Sequence, residues 1–367
     1  MRIFLFKLIH SNMYHNSINV IGIMSGTSLD GLDLCLVKFN DDDYSEFQII
    51  KGLTYPYSKK WINKLTNSIN LSNENLDLLD REYGKLISDL INTFINECGN
   101  PKINLVSSHG HTVFHDPKNG ITKQIGNGKI IFDNINTDLV YDFRAQDVKL
   151  GGQGAPLVPI GDLNLFKNYK YCLNLGGFSN ISIKENDTII AFDISPVNTV
   201  LNHYSKKLGF EYDKNGTLSK KGIVDIDLLK KLNKMKYYEL QGPKSLGIEF
   251  VIQEVFPLID STLVNDYNIL RTYIEHIATQ LKKAINENNE DKILITGGGA
   301  YNKTLIKVLK NKLRCNLVIP EKEIIENKEA LIFAYLGLLR ANNKINCLKS
   351  VTGASKNHSS GQIFIKL

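Results

Sequence analysis

The stretch Val20-Ile21-Gly22-Ile23-Met24-Ser25-Gly26-Thr27-Ser28-Leu29-Asp30-Gly31-Leu32-Asp33-Leu34-Cys35-Leu36-Val37-Lys38-Phe39 decides the fold. Two apolar runs flank a reversal of Gly, Ser and Thr, which reads as a β-hairpin whose turn exposes backbone N–H groups and hydroxyls. Such a turn suits phosphate oxygens. It is no Walker A loop, because no Gly-Lys-Ser/Thr follows and the next element reads as a strand. Alone, it could equally be an ordinary turn of small residues. A second copy farther along the chain separates the two readings.

Phe47 to Tyr55 reads as a third strand, ended by Pro56. From Asn75 to Glu97 the apolar residues Leu76, Leu79, Tyr83, Leu86, Leu90 and Phe94 recur at helical spacing. Ile103 to Ser107 is a strand leading into His109-Gly110-His111-Thr112. Asn127-Gly128, between apolar runs, predicts a hairpin turn. The Gly/Pro-rich run Gly151 to Pro159 divides the chain. Beyond it come a strand (Tyr171 to Leu175), a turn (Gly176-Gly177-Phe178-Ser179-Asn180), a strand (Ile181 to Lys184) and a third strand ending at Asp193. The halves share a pattern of elements and almost no residues, so the repeat is topological. A third glycine cluster, Gly297-Gly298-Gly299, joins the buried-strand pattern Lys292 to Thr296 to a helix from about Lys303. Glycine lets backbone approach a ligand there, and a helix start supplies unpaired N–H groups.

At 367 residues two domains are expected. Hydrophobic residues at 43% and charged residues at 22% are ordinary for a globular protein. The net charge of +6 is spread along the chain without an Arg-rich or aromatic-interleaved stripe, which argues against nucleic acid as a partner. Cys35, Cys98, Cys172, Cys315 and Cys347 are scattered and odd in number, pointing to a reducing compartment. The apolar opening is short for a signal peptide and no apolar run is long enough to span a membrane, so cytoplasm is the expectation. Residues 1–17 read as an extension, with Met13 an alternative start.

Seven residues offer chemistry. Asp193 ends an apolar strand and precedes Ser195 and Pro196, which read as N-cap and first helical residue. That places a carboxylate at a site opening; the plain alternative is local capping. Asp30 suits Mg²⁺ through water, or is a turn aspartate. His109 and His111, with His115 beyond, share a strand face at i, i+2 and could ligate zinc or line a pocket. Arg144 suits an anionic or polar substrate group, or a structural ion pair. Glu329 opens an apolar helix, where an acid also favours the helix dipole.

These motifs together resemble the anhydro-N-acetylmuramic acid kinase family from about Asn19 onward. The carrying segments are Gly22 to Gly31, Ser108 to Thr112, Asp142-Phe143-Arg144, Gly151 to Pro159, Asn174 to Gly177, Phe192-Asp193, Thr296 to Ala300, Glu329-Ala330 and Val351 to Ala354. The resemblance implies an α/β, two-lobed actin-like ATPase fold, a duplicated ribonuclease-H-like unit with an interdomain cleft. Lobe I is expected over 18–165 plus 340–367 and lobe II over 166–339. It implies a cytoplasmic enzyme of peptidoglycan recycling, tending to a homodimer. The enzyme would use ATP and Mg²⁺ to open the 1,6-anhydro ring with water and phosphorylate O6. Asp193 would be the general base. Gly26, Thr27, Ser28, Asp30, Gly31, Gly176 and Gly177 would cradle phosphates, and Gly297, Gly298 and Gly299 would face adenosine. His111, Arg144 and Glu329 would line the sugar pocket, with Asp30 on Mg²⁺.

Two departures stand out. Asp193-Ile194-Ser195-Pro196 replaces the commoner Asp-Thr-Gly-Pro, and Ile248 stands where the family usually carries Arg. Two other classes remain open: a metal-dependent hydrolase on His109 and His111, marked by bound zinc, and a non-catalytic actin-like nucleotide-binding protein, marked by ATP binding without sugar-dependent ADP release.

Overall fold

The computed structural model describes residues 17–366 apart from 27, 187, 241–243 and 287. Thr27 and the expected extension before Ser17 lie outside the described residues. The chain divides into two compact units, Met1–Leu165 with Asn327–Leu367, and Phe166–Glu326.

In the first unit β1 (Ser17–Ser25), β2 (Gly31–Asn40) and β3 (Phe47–Pro56) form an antiparallel meander. β4 (Leu105–Ser108) lies parallel to β1; β5 (His111–Asp116) and β6 (Ile121–Ile125) form a separate ribbon; β7 (Asp138–Tyr141) lies parallel to β4. The sheet order is Gln362–Phe364, β7, β4, β1, β2, β3. The central strands are apolar on both faces because helices cover both. The helix Asn73–Glu97 buries Leu76, Leu79, Tyr83, Ile87, Ile91 and Phe94 in one cluster with Ile21, Ile23, Leu34 and Val106. This is the stripe that the helical spacing requires.

The helix Lys322–Ala341 lies directly on the strands. A Cβ on Gly22 would fall 1.9 Å from the Ala330 carbonyl oxygen, and one on Gly337 would fall 2.4 Å from Ser107 Cβ. Ser107 Oγ donates to the Phe333 carbonyl at 2.5 Å. This packing draws residues 327–339 into the first unit, whereas the sequence reading assigned them to lobe II.

The second unit contains β8 (Tyr171–Leu175), β9 (Phe178–Glu185), β10 (Thr188–Pro196), β11 (Lys292–Thr296) and β12 (Asn316–Val318). Their order, β10-β9-β8-β11-β12, reproduces β3-β2-β1-β4-β7, with the same antiparallel meander followed by parallel strands. The duplicated ribonuclease-H-like topology is therefore present despite unlike sequences. Leu270, Tyr273, Ile274, Ile277 and Leu281 of the helix Asp266–Ala284 join Leu173, Ile181 and Ile295 in its core. Among the described residues no helix is long and apolar enough to cross a membrane.

Two local expectations fail. Asn127-Gly128 is no hairpin turn: Asn127 caps the helix Gly128–Asn134, its Oδ1 accepting from Ile130 N at 3.1 Å. Gly128 is needed because a Cβ there would fall 2.4 Å from the Tyr141 ring. Ser195 and Pro196 likewise do not open a helix. β10 runs through them after a register shift between Asp193 and Ser195, and the helix Asn198–Lys207 starts later. Ser195 is fully buried because its hydroxyl and backbone N–H lie at 3.1 Å from Ser179 Oγ.

Candidate active site

In the first unit the ends of β1 and β4 bring the site residues together. Ser25 Oγ lies 2.8 Å from Tyr57 Oη and 3.0 Å from His111 Nδ1, and Tyr57 Oη lies 2.5 Å from Tyr83 Oη. This chain ties His111 to the base of the first hairpin. The turn itself closes through Leu29 N on the Gly26 carbonyl at 3.4 Å, with Leu29 held at φ 58°. A leucine in that region is strained, as residues at functional turns often are. Ser28 and Asp30 are exposed and Gly26 is half-buried. Gly31 is instead a packing residue: a Cβ there would lie 2.5 Å from the Tyr55 carbonyl oxygen.

The three histidines have separate partners. Arg144 Nε donates to His109 Nε2 at 2.9 Å, while His109 Nδ1 lies 2.8 Å from the Gly110 carbonyl. A carbonyl only accepts, so Nδ1 carries the ring hydrogen and the Nε2 lone pair is taken by a cation's N–H. No lone pair remains for zinc on His109. His115 Nδ1 pairs with Thr122 Oγ1 at 3.2 Å. Gly110, at φ 75°, ends the run begun by β4, so His109 and His111 do not share a strand face. This overturns the geometric basis for a His109/His111 metal site. Burial, with the Arg144 charge second, holds His109 well below its ordinary range, and burial lowers His111 to about 4. Both rings are neutral at physiological pH.

Arg144 Nη1 also donates to the Gly154 carbonyl at 2.5 Å. Among the described residues no carboxylate pairs with the guanidinium directly, so its charge is available to a ligand. Burial lowers it to about 10, and the charges of Glu329, Cys347 and Asp147 oppose that shift. Glu329 sits two turns inside the helix Lys322–Ala341 and not at its start, so the helix dipole does not explain it. Its side chain is open to solvent. Desolvation by surrounding protein raises its carboxyl above the ordinary range, and the nearby Asp33 charge adds to this. Asp33, which the sequence reading did not single out, is raised by burial, lowered by its Thr54 hydrogen bond and raised by Asp30. Its signal was the one acid within the apolar run of β2.

In the second unit, the Leu175 carbonyl accepts from Asn198 Nδ2 at 3.0 Å, and the Gly176 carbonyl from Asn198 N at 3.2 Å. The Gly177 carbonyl accepts from Val197 N at 2.7 Å and Thr199 N at 3.2 Å. Three successive carbonyls thus face the start of the helix Asn198–Lys207. In trans peptides the following N–H groups, those of Gly176, Gly177 and Phe178, point the opposite way. Successive N–H groups turned to one side are the arrangement that suits an anion.

The Gly297 cluster divides by role. Gly297, at φ 79°, and Gly299 press on β8: Cβ atoms there would fall 2.4 Å from Asn174 Oδ1 and 2.7 Å from Leu175 Cβ. At Gly298 the nearest atom would be Asn198 Nδ2 at 3.5 Å. It lines a cavity of about 460 Å³ with Asn198, Asn202, Tyr212, Asp213 and Asn302.

Asp193 lies inside β10, at its bulge, and not at a strand end. Its N–H donates to the Lys244 carbonyl at 2.9 Å, its carbonyl accepts from Tyr237 Oη at 2.6 Å, and its Oδ2 accepts from Leu246 N at 2.9 Å. The carboxylate is half-buried. Burial raises it above the ordinary aspartate range, against the lowering Leu246 bond. Ile248, two residues beyond Leu246, is 45% exposed and presents an apolar surface there.

Two units of one ribonuclease-H-like topology, each with a small-residue hairpin turn after its first strand, define the actin-like class that includes sugar kinases and heat-shock ATPases. Within it, the chain belongs to the anhydro-N-acetylmuramic acid kinase family, whose model matches residues 18–366. The Haemophilus influenzae anhydro-N-acetylmuramic acid kinase is 33% identical over 376 residues, covering 94% of this chain and 97% of the relative. The Francisella tularensis subsp. novicida enzyme is 34% identical over 373 residues, with 94% and 97% covered, and a Bacillus cereus enzyme is 31% identical over 379, with 94% and 98% covered. The chain is an enzyme of the kinase class.

Proposed function

We propose that this kinase opens the 1,6-anhydro ring of anhydro-N-acetylmuramic acid with water and transfers the γ-phosphoryl of ATP to O6. Water oxygen bonds to C1, the C1–O6 bond breaks, O6 takes the phosphoryl group and ADP departs. The water proton passes to Asp193. The observation that carries the reading is the Asp193 carboxylate: one oxygen is held by Leu246 N–H, and burial raises its proton affinity without a cation to quench it. A base is most useful when its pKa approaches the working pH.

Phosphoryl transfer depends mainly on positioning and charge neutralisation. The N–H row of Gly176 to Phe178, and the Gly26 turn with Ser28, suit the phosphates. The cavity at Gly298 suits adenosine, with Asn and Asp side chains for its polar edges. His111, Arg144 and Glu329 are assigned to the sugar: neutral His111 as a hydrogen-bond partner, Arg144 for the lactyl carboxylate, Glu329 for a hydroxyl. For Mg²⁺ the donor chemistry fits. Asp30 offers a carboxylate oxygen that would hold the ion through water, and its charge is felt by Asp33 beside it. Bound there, the ion would neutralise phosphate charge. The reading carries with it a homodimer in the cytoplasm; the scattered, odd-numbered cysteines suit a reducing compartment.

The test is ADP release with Mg-ATP, with and without the anhydro sugar, and the mass of the sugar product. A sugar-dependent product heavier by one water and one phosphoryl unit supports both halves of the reaction. ATP binding without sugar-dependent ADP from folded protein rejects it.

A further inference from the structure

Away from these residues, the first unit holds a buried cluster that the reaction does not use. Cys347 and His358 face each other across an isolated antiparallel bridge, each N–H on the other's carbonyl at 3.1 Å. Asn346 fixes the bridge by donating to the Leu336 and Ser360 carbonyls at 3.1 and 2.8 Å and accepting from Ser360 N at 2.6 Å. Both side chains point at Asp147, from the helix Ala145–Lys149. Asp147, Cys347 and His358 are 0%, 2% and 5% exposed.

The hydrogen-bond inventory around Asp147 is nearly closed. Oδ2 accepts from Gly154 N at 2.7 Å, and Oδ1 from Thr352 Oγ1 at 2.7 Å and Cys347 Sγ at 3.0 Å. His358 Nε2 stands 3.5 Å from Oδ1 and has no hydrogen-bond partner although it is buried. The other ring nitrogen explains why this matters. His358 Nδ1 lies 3.1 Å from the Lys356 carbonyl, which can only accept, so Nδ1 carries the hydrogen. Nε2 is thus left facing a carboxylate oxygen inside the protein with no hydrogen bond made. A buried polar atom left without a partner beside a carboxylate oxygen is costly, and a cation bound by both would satisfy it.

We infer that Asp147, Cys347 and His358 form a binding site for a divalent ion of the zinc type. Their three ligand atoms lie within 4.8 Å of one another, and among the described residues no other such group occurs. Zinc bonds of about 2.0–2.3 Å to O, N and S require ligand atoms on edges of roughly 3.2–3.8 Å. The measured Oδ1–Sγ and Oδ1–Nε2 separations of 3.0 and 3.5 Å need only small adjustment. A metal-bound histidine typically donates its other N–H to a carbonyl or carboxylate, as His358 does to Lys356. One thiol, one imidazole and one carboxylate suit zinc and not magnesium or calcium, which prefer oxygen. Binding releases the thiol proton to solvent. The thiolate and carboxylate then balance the ion's two charges, and Thr352 Oγ1 or water completes the set. The ion would pin the chain's last segment to Asp147, which holds Gly154, whose carbonyl in turn holds Arg144. The site is structural and independent of the kinase reading.

The experiment uses the full chain purified without a metal-affinity tag, stripped with chelator, and titrated with Zn²⁺ against a chromophoric competitor, with melting followed in parallel. The inference expects one zinc per chain and a higher melting temperature with zinc. Loss of a group that merely hydrogen-bonds a metal ligand weakens metal sites by about 10–100-fold, so Cys347→Ser and His358→Gln, which remove ligands, are expected to lose at least that much affinity. Cobalt should give a thiolate charge-transfer band in wild type that Cys347→Ser lacks. If either variant fails to fold, wild type alone decides through stoichiometry and the cobalt band. Wild type binding no more zinc than Cys347→Ser, or wild type with no stoichiometric zinc and no cobalt–thiolate band, overturns the inference.

Discussion

Replacing Asp193 by Asn separates charge from shape. The backbone bonds to Lys244 and Tyr237 are untouched, and an Asn oxygen can still accept from Leu246 N, which lies 2.9 Å from Oδ2. What disappears is a basic oxygen able to take a proton from water. General-base assistance is worth about 10²–10⁴-fold, or about 2.7–5.4 kcal/mol of barrier, so kcat should fall by that factor with ATP affinity unchanged. The stability sign runs the other way. Burial raises the folded pKa of Asp193 above its ordinary 3.8, so stability from this group is present at low pH and is lost as pH rises through the folded value. At neutral pH the ionised aspartate therefore costs stability, and the Asn variant should melt no lower than wild type. The assays are sugar-dependent ADP release, an ATP-binding titration and a thermal melt. Wild-type kcat should also fall on the acid side as Asp193 protonates. Turnover within about threefold of wild type would remove the base role. A melting temperature several degrees lower would show the carboxylate to be a structural anchor instead.

The glycine assignments predict a contrast. Gly297→Ala meets Asn174 Oδ1 at 2.4 Å with φ at 79°, so strain of ~1–2 kcal/mol and overpacking of ~1–3 kcal/mol should lower the melting temperature clearly. Gly298→Ala should leave melting unchanged and raise the KM for ATP; equal melting of the two variants refutes the division. Lys328 and Asp162 form a buried ion pair at 2.7 Å, and Lys328→Met leaves the carboxylate in the interior. The cost should be ~3–5 kcal/mol, read as a lower midpoint in urea; no shift would mean that the pair is effectively solvated. Arg144→Lys loses the geometry that reaches His109 and Gly154 together. One charged hydrogen bond is worth ~1.5–3 kcal/mol, so kcat/KM for the sugar should drop by about 10–150-fold, and an unchanged value excludes Arg144 from substrate binding. Because burial lowers His111 to about 4, ionisation of that ring should contribute no step to the rate between pH 6 and 8. A kinetic step in that window that vanishes in His111→Gln would contradict the assignment.

Much was legible in the residues because its cause is local. The meander through β3, its counterpart through β10 and the helix Asn73–Glu97 follow from apolar spacing and small-residue turns. The failures share a physical origin. Asn-Gly serves a hairpin turn or a helix start, and the Ile130 N–H decided for the start. Ser195 has the chemistry of an N-cap, but a buried Ser179 hydroxyl across the strand pair claims it. Glu329 looked terminal because the turns before it are polar, yet those turns are helical too.

The sequence by itself determined the element order, the duplicated strand pattern and the family, because periodicity, turn chemistry and motif order are properties of neighbouring residues. Only the tertiary structure decided which glycine faces a cavity and which one packs on β8, which histidine lone pair Arg144 occupies, and that the Asp33 charge adds to the raised proton affinity of Glu329. It also brought Asp147, Cys347 and His358 to one point from the two separate chain segments of the first unit. Contacts across such separations are set by packing and desolvation among segments that carry no local mark of one another.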